Sequence, residues 1–141
     1  MKSYSGLLRV CFLIGAITDG LAVVPMLSPS VGTMLFGGEF ARLGVEYRYA
    51  MGIGAALMAG WTVLLVWGSF KPIERRDLLL ITICPVVMGI VASTIYGISH
   101  HVLELRRTVP LLVHLGFVSV LYLYSYGKSR SNDKGMHNQA L

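Results

Sequence analysis

The sequence predicts an all-α integral membrane protein, a compact bundle of four transmembrane helices, and three observations carry that expectation. Four apolar stretches, 10–27, 49–70, 78–99 and 109–126, each come close to the roughly 20 residues that cross a hydrocarbon core at about 1.5 Å rise per residue. Hydrophobic residues make up 55% of the chain and charged residues only 13%, with a mean hydropathy of +0.67, too little charge to clothe a water-soluble surface. The Lys and Arg residues also sort by side. Eight of the 12 (Lys2, Arg9, Lys71, Arg75, Arg76, Lys128, Arg130 and Lys134) fall on the side of the termini, and four (Arg42, Arg48, Arg106 and Arg107) on the other. The positive-inside rule then puts both termini in the cytoplasm of a plasma membrane, expected to be a bacterial inner membrane. The net charge of +5 is accordingly assigned to lipid headgroups, and no nucleic-acid partner is expected. Little chain remains outside the spans, so a single membrane domain is expected and no separate soluble catalytic domain.

Lys2 and Arg9 precede the first span, in the manner of a cleaved signal peptide. Arg9 delays the apolar run, Asp19 interrupts it and Thr18-Asp19-Gly20 is a poor cleavage site, so the segment is expected to remain as a span. The connection 28–48 is longer than an antiparallel helix pair needs and carries Met34, Leu35 and Phe36 ahead of Gly37-Gly38. Glu39, Arg42 and Glu46 then share a helical face. The second helix is expected to begin near Glu39 and project beyond the membrane, or an interfacial helix to precede it; the extension either caps an external cavity or is a salt-linked, solvated helix end. Tyr47 and Tyr49 mark the outer end of the second span, Trp67 and Phe70 its inner end. The charged turn 71–77, broken by Pro72, leads to the third span, which Pro85 is expected to bend by removing a backbone donor. Tyr122, Tyr124 and Tyr126 close the fourth span at the inner headgroup level, and the polar segment 127–141 is expected to be disordered.

Small residues recur at four-residue spacing in three spans: Ala16 and Gly20; Gly52, Ala56 and Gly60; Gly89, Ser93 and Gly97. Such stripes are expected to pack helices closely within the chain, with a dimer interface as the alternative. Cys11 and Cys84 are expected to act as packing residues of the inner half, unlinked by a disulfide.

Asp19 is the residue that calls for an explanation, because a carboxylate near the centre of a span costs about 2.5–3.5 kcal/mol on insertion scales. It is expected to face the bundle interior and to find a partner or carry a proton. Counted inward from the outer ends of the spans, Asp19 lies at roughly 12 Å, Ser93 at roughly 9 Å, His114 at roughly 8 Å and Tyr96 at roughly 5 Å. Trp61 lies deeper and offers an indole donor, and Thr18 and Thr94 offer hydroxyls. If these faces converge, the outer half holds a polar pocket with one carboxylate and one imidazole, able to bind a ligand or exchange a proton; otherwise Asp19 fixes helix rotation by hydrogen bonding. His100, His101 and Glu104 are an incomplete metal set, and Arg106 and Arg107 are helix anchors. There is no phosphate-binding Gly-rich loop, nucleophile elbow or zinc-protease motif, and Gly52-Ile53-Gly54 lacks the strand-turn-helix setting of a dinucleotide site. No metal or cofactor is therefore expected.

The leading expectation is a membrane protein that binds a small or lipid-like ligand in this outer-half pocket without turnover, with Asp19, His114, Tyr96, Ser93 and Trp61 as binding residues. The alternatives are a proton-coupled small-solute carrier acting as an oligomer, an accessory or structural subunit of a membrane complex, and an embedded enzyme using Asp19 and His114 as acid and base. Expected partners are membrane lipids and either a second copy or a membrane-complex subunit. The organisation resembles that of small four-span bacterial inner-membrane proteins, a likeness of shape that transfers no activity.

Overall fold

The computed structural model describes residues 2–38, 40 and 43–138, with side chains from Ser5 to Ser131 within that range. Its helices are α1 (Lys2–Leu27), α2 (Pro29–Phe36), α3 (Val45–Phe70), α4 (Asp77–Ser99) and α5 (Leu105–Asn138), and among the described residues there is no strand. Helices α1, α3, α4 and α5 are long and apolar enough to cross a membrane. Their outward faces carry the larger apolar side chains. On α1 the buried positions are Leu8, Cys11, Phe12, Gly15, Ala16 and Asp19, whereas Val10, Leu13, Ile17, Leu21 and Val24 are exposed. On α3 Leu57 is 71% exposed and on α5 Val113 is 67% exposed. A surface of this kind is suited to hydrocarbon, because in water each such side chain would forgo about 1.5–3 kcal/mol of burial.

Helix α1 is the hub: it packs most extensively against α3 and also contacts α5 and α2, while α4 packs on α5. The neighbour order is therefore α3, α1, α5, α4, and the backbones of α3 and α4 scarcely approach. The indole Nε1 of Trp61 links those two by donating to Thr82 Oγ1 at 3.3 Å. The core gathers Leu8, Cys11, Phe12 and Ala16 of α1, Leu65 of α3, Leu79 of α4 and Val118 and Tyr122 of α5. With the spans antiparallel in succession, these positions all lie toward the end that carries the 71–77 turn. Close approach there depends on two glycines. The Phe12 ring lies against Gly68, where an added Cβ would stand 2.6 Å from Phe12 Cε1, and the Tyr122 hydroxyl occupies the space a side chain at Gly15 would need. At the other end α1 buries nothing from Gly20 to Leu27, and α3 buries nothing from Val45 to Gly54. The bundle is tight at one end and loose at the other.

Several elements differ from the sequence expectation. The stripe Gly52, Ala56, Gly60 does not pack against a neighbouring helix: an added Cβ at Gly52 or Gly60 meets nothing within 4 Å, and Ala56 is exposed. Helix α3 instead buries Ala55, Leu65, Gly68 and Ser69, a face rotated by about one residue from the expected one. Gly89 and Ser93 are likewise open on α4, and only Gly97 of that stripe is covered, by Leu103. Pro85 gives a π-helical segment, Thr82–Val87, within α4. A proline lacks the N–H that would close the α-turn and crowds the carbonyl four residues back, and a wider turn accommodates both defects.

The long connection contains α2, which begins with Pro29 in its first turn after Ser28 and ends at Gly37, whose φ of 79° suits glycine and whose N–H donates to Thr33 O. The Glu104 N–H bonds Phe36 O at 3.0 Å and Arg107 Nη1 bonds Met34 O at 3.0 Å, tying α2 to the start of α5. The expected helix start near Glu39 falls on a stretch in which Glu39, Ala41 and Arg42 lie outside the described residues; α3 is described from Val45.

Tyr122, expected at the headgroup level, is fully buried, and α5 continues through Gly127 as far as Asn138 where disorder was expected. Ser125 and Ser129 extend its buried face: Cys11 Sγ lies 3.0 Å from Ser125 Oγ, and Arg76 Nη1 donates to Ser129 Oγ at 3.3 Å. The Ser129 contact lies three residues, just under one turn, beyond the expected end at 126, and an existing helix propagates more readily than it nucleates. Residues 139–141 of the expected tail lie outside the described residues.

Candidate functional site

The spacing 8, 11, 12, 15, 16, 19 keeps one face of α1 turned inward, and Asp19 is the outermost buried residue on that face. It is 9% exposed, and among the described residues its Oδ2 has no hydrogen-bond partner. One turn inward, the buried Tyr122 hydroxyl presses on Gly15 and is also unpaired. His114 is exposed on α5, and its Nε2 lies 3.1 Å from Thr18 Oγ1. The Thr18 hydroxyl proton goes to Ile14 O at 2.9 Å, so Nε2 of His114 is the donor in that contact. Thr18, adjacent to Asp19 in sequence, is thus the residue that meets the imidazole.

The other three expected residues lie elsewhere. Trp61 donates to Thr82, whose own hydroxyl donates to Leu78 O at 2.7 Å. Ser93 and Tyr96 are on the exposed face of α4, with Tyr96 66% exposed and its ring 4.2 Å from that of His100. Glu104 forms an ion pair with Arg107 at 2.6 Å, and among the described residues no three His, Cys, Asp or Glu side chains form a metal-holding group. Cys11 and Cys84 are both free, the first buried and the second exposed.

A cavity of about 260 Å³ lies elsewhere, between the outer ends of α1, α2 and α3. Met26 and Leu27 of α1, Pro29 and Ser30 of α2, and Tyr47, Arg48, Met51 and Gly52 of α3 line it, and none of the five expected residues does. Its origin is local. At the Ser28-Pro29 step, where Ser28 is extended, the chain leaves α1 and enters α2, and the cavity lies beside this step. Gly52 contributes no side chain to fill the gap, whereas at Gly54 an added Cβ would stand 3.6 Å from Met26 Cε, an ordinary packing contact. Tyr47 is held by stacking on Phe40, with ring centroids 5.9 Å apart. The sequence did hold a signal for this site, Tyr47-Arg48 at the headgroup level opposite a proline turn, but that pair also reads as an ordinary span boundary. Chemically the cavity offers one guanidinium and two hydroxyls over walls of methionine and leucine, which are soft and apolar.

Fold and site together define a small all-helical bundle with four candidate membrane spans, a packed end and a cavity at the opposite end. The chain matches no protein-family model, no curated protein and no solved structure.

Proposed function

We propose that the chain is a multi-pass protein of a bacterial inner membrane, both termini cytoplasmic, that binds a small or lipid-like ligand in its outer half without chemical turnover. The cavity carries this reading: one guanidinium and two hydroxyl-bearing side chains share its lining with apolar ones at the loosely packed end of the bundle. At about 260 Å³ it falls just below the roughly 300 Å³ at which ligand pockets begin, room for a small solute or one end of an amphiphile. Among the described residues no acid, base and nucleophile meet at the cavity, which favours binding over reaction. The membrane assignment is supported by the exposed apolar faces, and the orientation by the eight-to-four division of basic residues.

The test is ligand-induced stabilisation of the purified chain in detergent, against a panel of amphiphiles and small solutes, with Gly52→Phe as the filled-cavity control. A ligand at 100 times its Kd stabilises the wild type by about 2.7 kcal/mol. Gly52→Phe is expected to fold, since the position is open, and not to respond. A panel in which no compound separates the two proteins would remove this reading.

A second reading, a proton-coupled carrier acting as an oligomer, is favoured by one observation, the unpaired Asp19 Oδ2 beside the core. Uptake into proteoliposomes driven by a pH gradient is expected to stop in Asp19→Asn while the fold persists. Uptake that continues unchanged in that variant would exclude the carrier.

A further inference from the structure

We propose that the outer cavity takes the phosphate headgroup of an anionic phospholipid, with Arg48 as its counter-charge. The inference rests on the ligand-binding reading above and names the ligand class for the same site.

Arg48 is the one charged residue lining the cavity; its backbone N–H donates to Gly44 O at 3.3 Å, and its guanidinium has no hydrogen-bond or ion-pair partner among the described residues. The other engaged arginines show the contrast. Arg107 pairs with Glu104, and the Arg75 guanidinium lies 3.3 Å above the Trp67 ring. The nearest acid in sequence, Glu46, turns toward Gly44, where its Oε2 would stand 2.8 Å from an added Cβ. A guanidinium with an unused planar fork, at the level of the Tyr47 and Tyr49 rings, matches a phosphate in geometry and depth.

The remaining lining agrees with that match. Ser30 and Tyr47 offer hydroxyls beside Arg48. The walls carry no carboxylate, so an ammonium headgroup finds no partner in the lining and a headgroup with net negative charge is preferred to a zwitterionic one. Size points the same way: about 260 Å³ has room for a headgroup phosphate but not for a whole lipid. The rest of each chain has a path along the exposed apolar residues Val24 and Leu27 of α1 and Ile53 of α3.

The experiment presents the full chain in non-ionic detergent with phosphatidylglycerol, phosphatidylcholine or inorganic phosphate, and reads thermal stability together with lipid retention by native mass spectrometry. Phosphatidylglycerol is expected to bind at least about tenfold more tightly than phosphatidylcholine, with phosphate alone giving no stabilisation. Arg48→Gln is expected to abolish the preference and Arg48→Lys to keep part of it. Arg106→Gln, which alters an outer-surface arginine away from the cavity, is expected to leave it intact. Stabilisation by phosphate equal to that by phosphatidylglycerol would overturn the lipid assignment in favour of a free anion. Equal binding of both lipids, unchanged in Arg48→Gln yet blocked in Gly52→Phe, would overturn the headgroup assignment and leave the ligand-binding reading standing. Lipid responses that Gly52→Phe does not alter would overturn both.

Discussion

Gly15 and Tyr122 set the spacing of α1 and α5, because the tyrosine hydroxyl fills the volume a side chain at Gly15 would take. Gly15→Ala forces the two helices apart and is expected to destabilise by about 1–3 kcal/mol, the usual range for overpacking. Tyr122→Phe removes a buried hydroxyl that has no partner, so alone it is expected to be neutral or stabilising, and combined with Gly15→Ala it should recover most of the loss. Thermal denaturation of the four proteins in detergent checks the cycle; equal melting of Gly15→Ala and wild type would refute the contact. Asp19 leads to a related prediction. Its Oδ2 accepts no hydrogen bond, so Asp19→Leu is expected to melt at or above the wild type, and a Leu variant that fails to fold while Asn folds would identify the carboxyl as a hydrogen-bonding strut. That Asp19 faces inward was legible in the sequence, because a charge in hydrocarbon has nowhere else to go. What it faces was not legible. Tyr122 reads as one of three headgroup-level tyrosines, and only the rotation of α5 buries it while leaving Tyr124 exposed.

At the scale of elements, the same loss of contrast explains why lengths were readable and faces were not. In water a helix declares its packed side by polarity, whereas α1 shows apolar residues on both sides and its buried face is the one with Cys11, Gly15, Ala16 and Asp19. Small residues are then the remaining clue, and α3 holds two candidate rows: Gly52-Ala56-Gly60, against which no helix packs, and the inward face with Ala55 and Gly68. Spacing cannot rank them. The structure does, and the ranking is testable: Gly68→Ala is expected to destabilise through the Phe12 ring, while Gly60→Ala is expected to be neutral or to gain up to about 1 kcal/mol of helix propensity. A loss of stability in Gly60→Ala would show that something outside this chain packs on that row. Between α3 and α4, where backbones scarcely approach, the Trp61–Thr82 hydrogen bond is expected to show a coupling energy of about 0.6 kcal/mol in a cycle of Trp61→Phe and Thr82→Val. The π segment around Pro85 contains Thr82, so a register change there would be read first as a change in this coupling.

For the whole molecule, an even number of spans puts the 71–77 turn and the end of α5 on one side of the bilayer, and the 100–104 turn with the cavity on the other. The structure binds the first pair together independently, through Arg76 and Ser129. Which side is cytoplasmic depends on charge alone, eight basic residues against four, and the lipid available to the cavity depends on that choice. Single cysteines decide it. In a Cys84→Ser background, with Cys11 buried in the core, Val102→Cys is expected to react with a membrane-impermeant maleimide in intact cells. Glu74→Cys and Ser131→Cys are expected to react only after permeabilisation; all three native residues are exposed, so access is limited by the membrane and not by the fold. The inverse pattern would put Arg48 and its cavity at the cytoplasmic leaflet, where anionic lipids are abundant, and the headgroup preference would then have to be measured in that setting. Labelling of all three sites in intact cells would remove the four-span topology itself, because no arrangement of four crossings exposes both ends of α4 to the same solution.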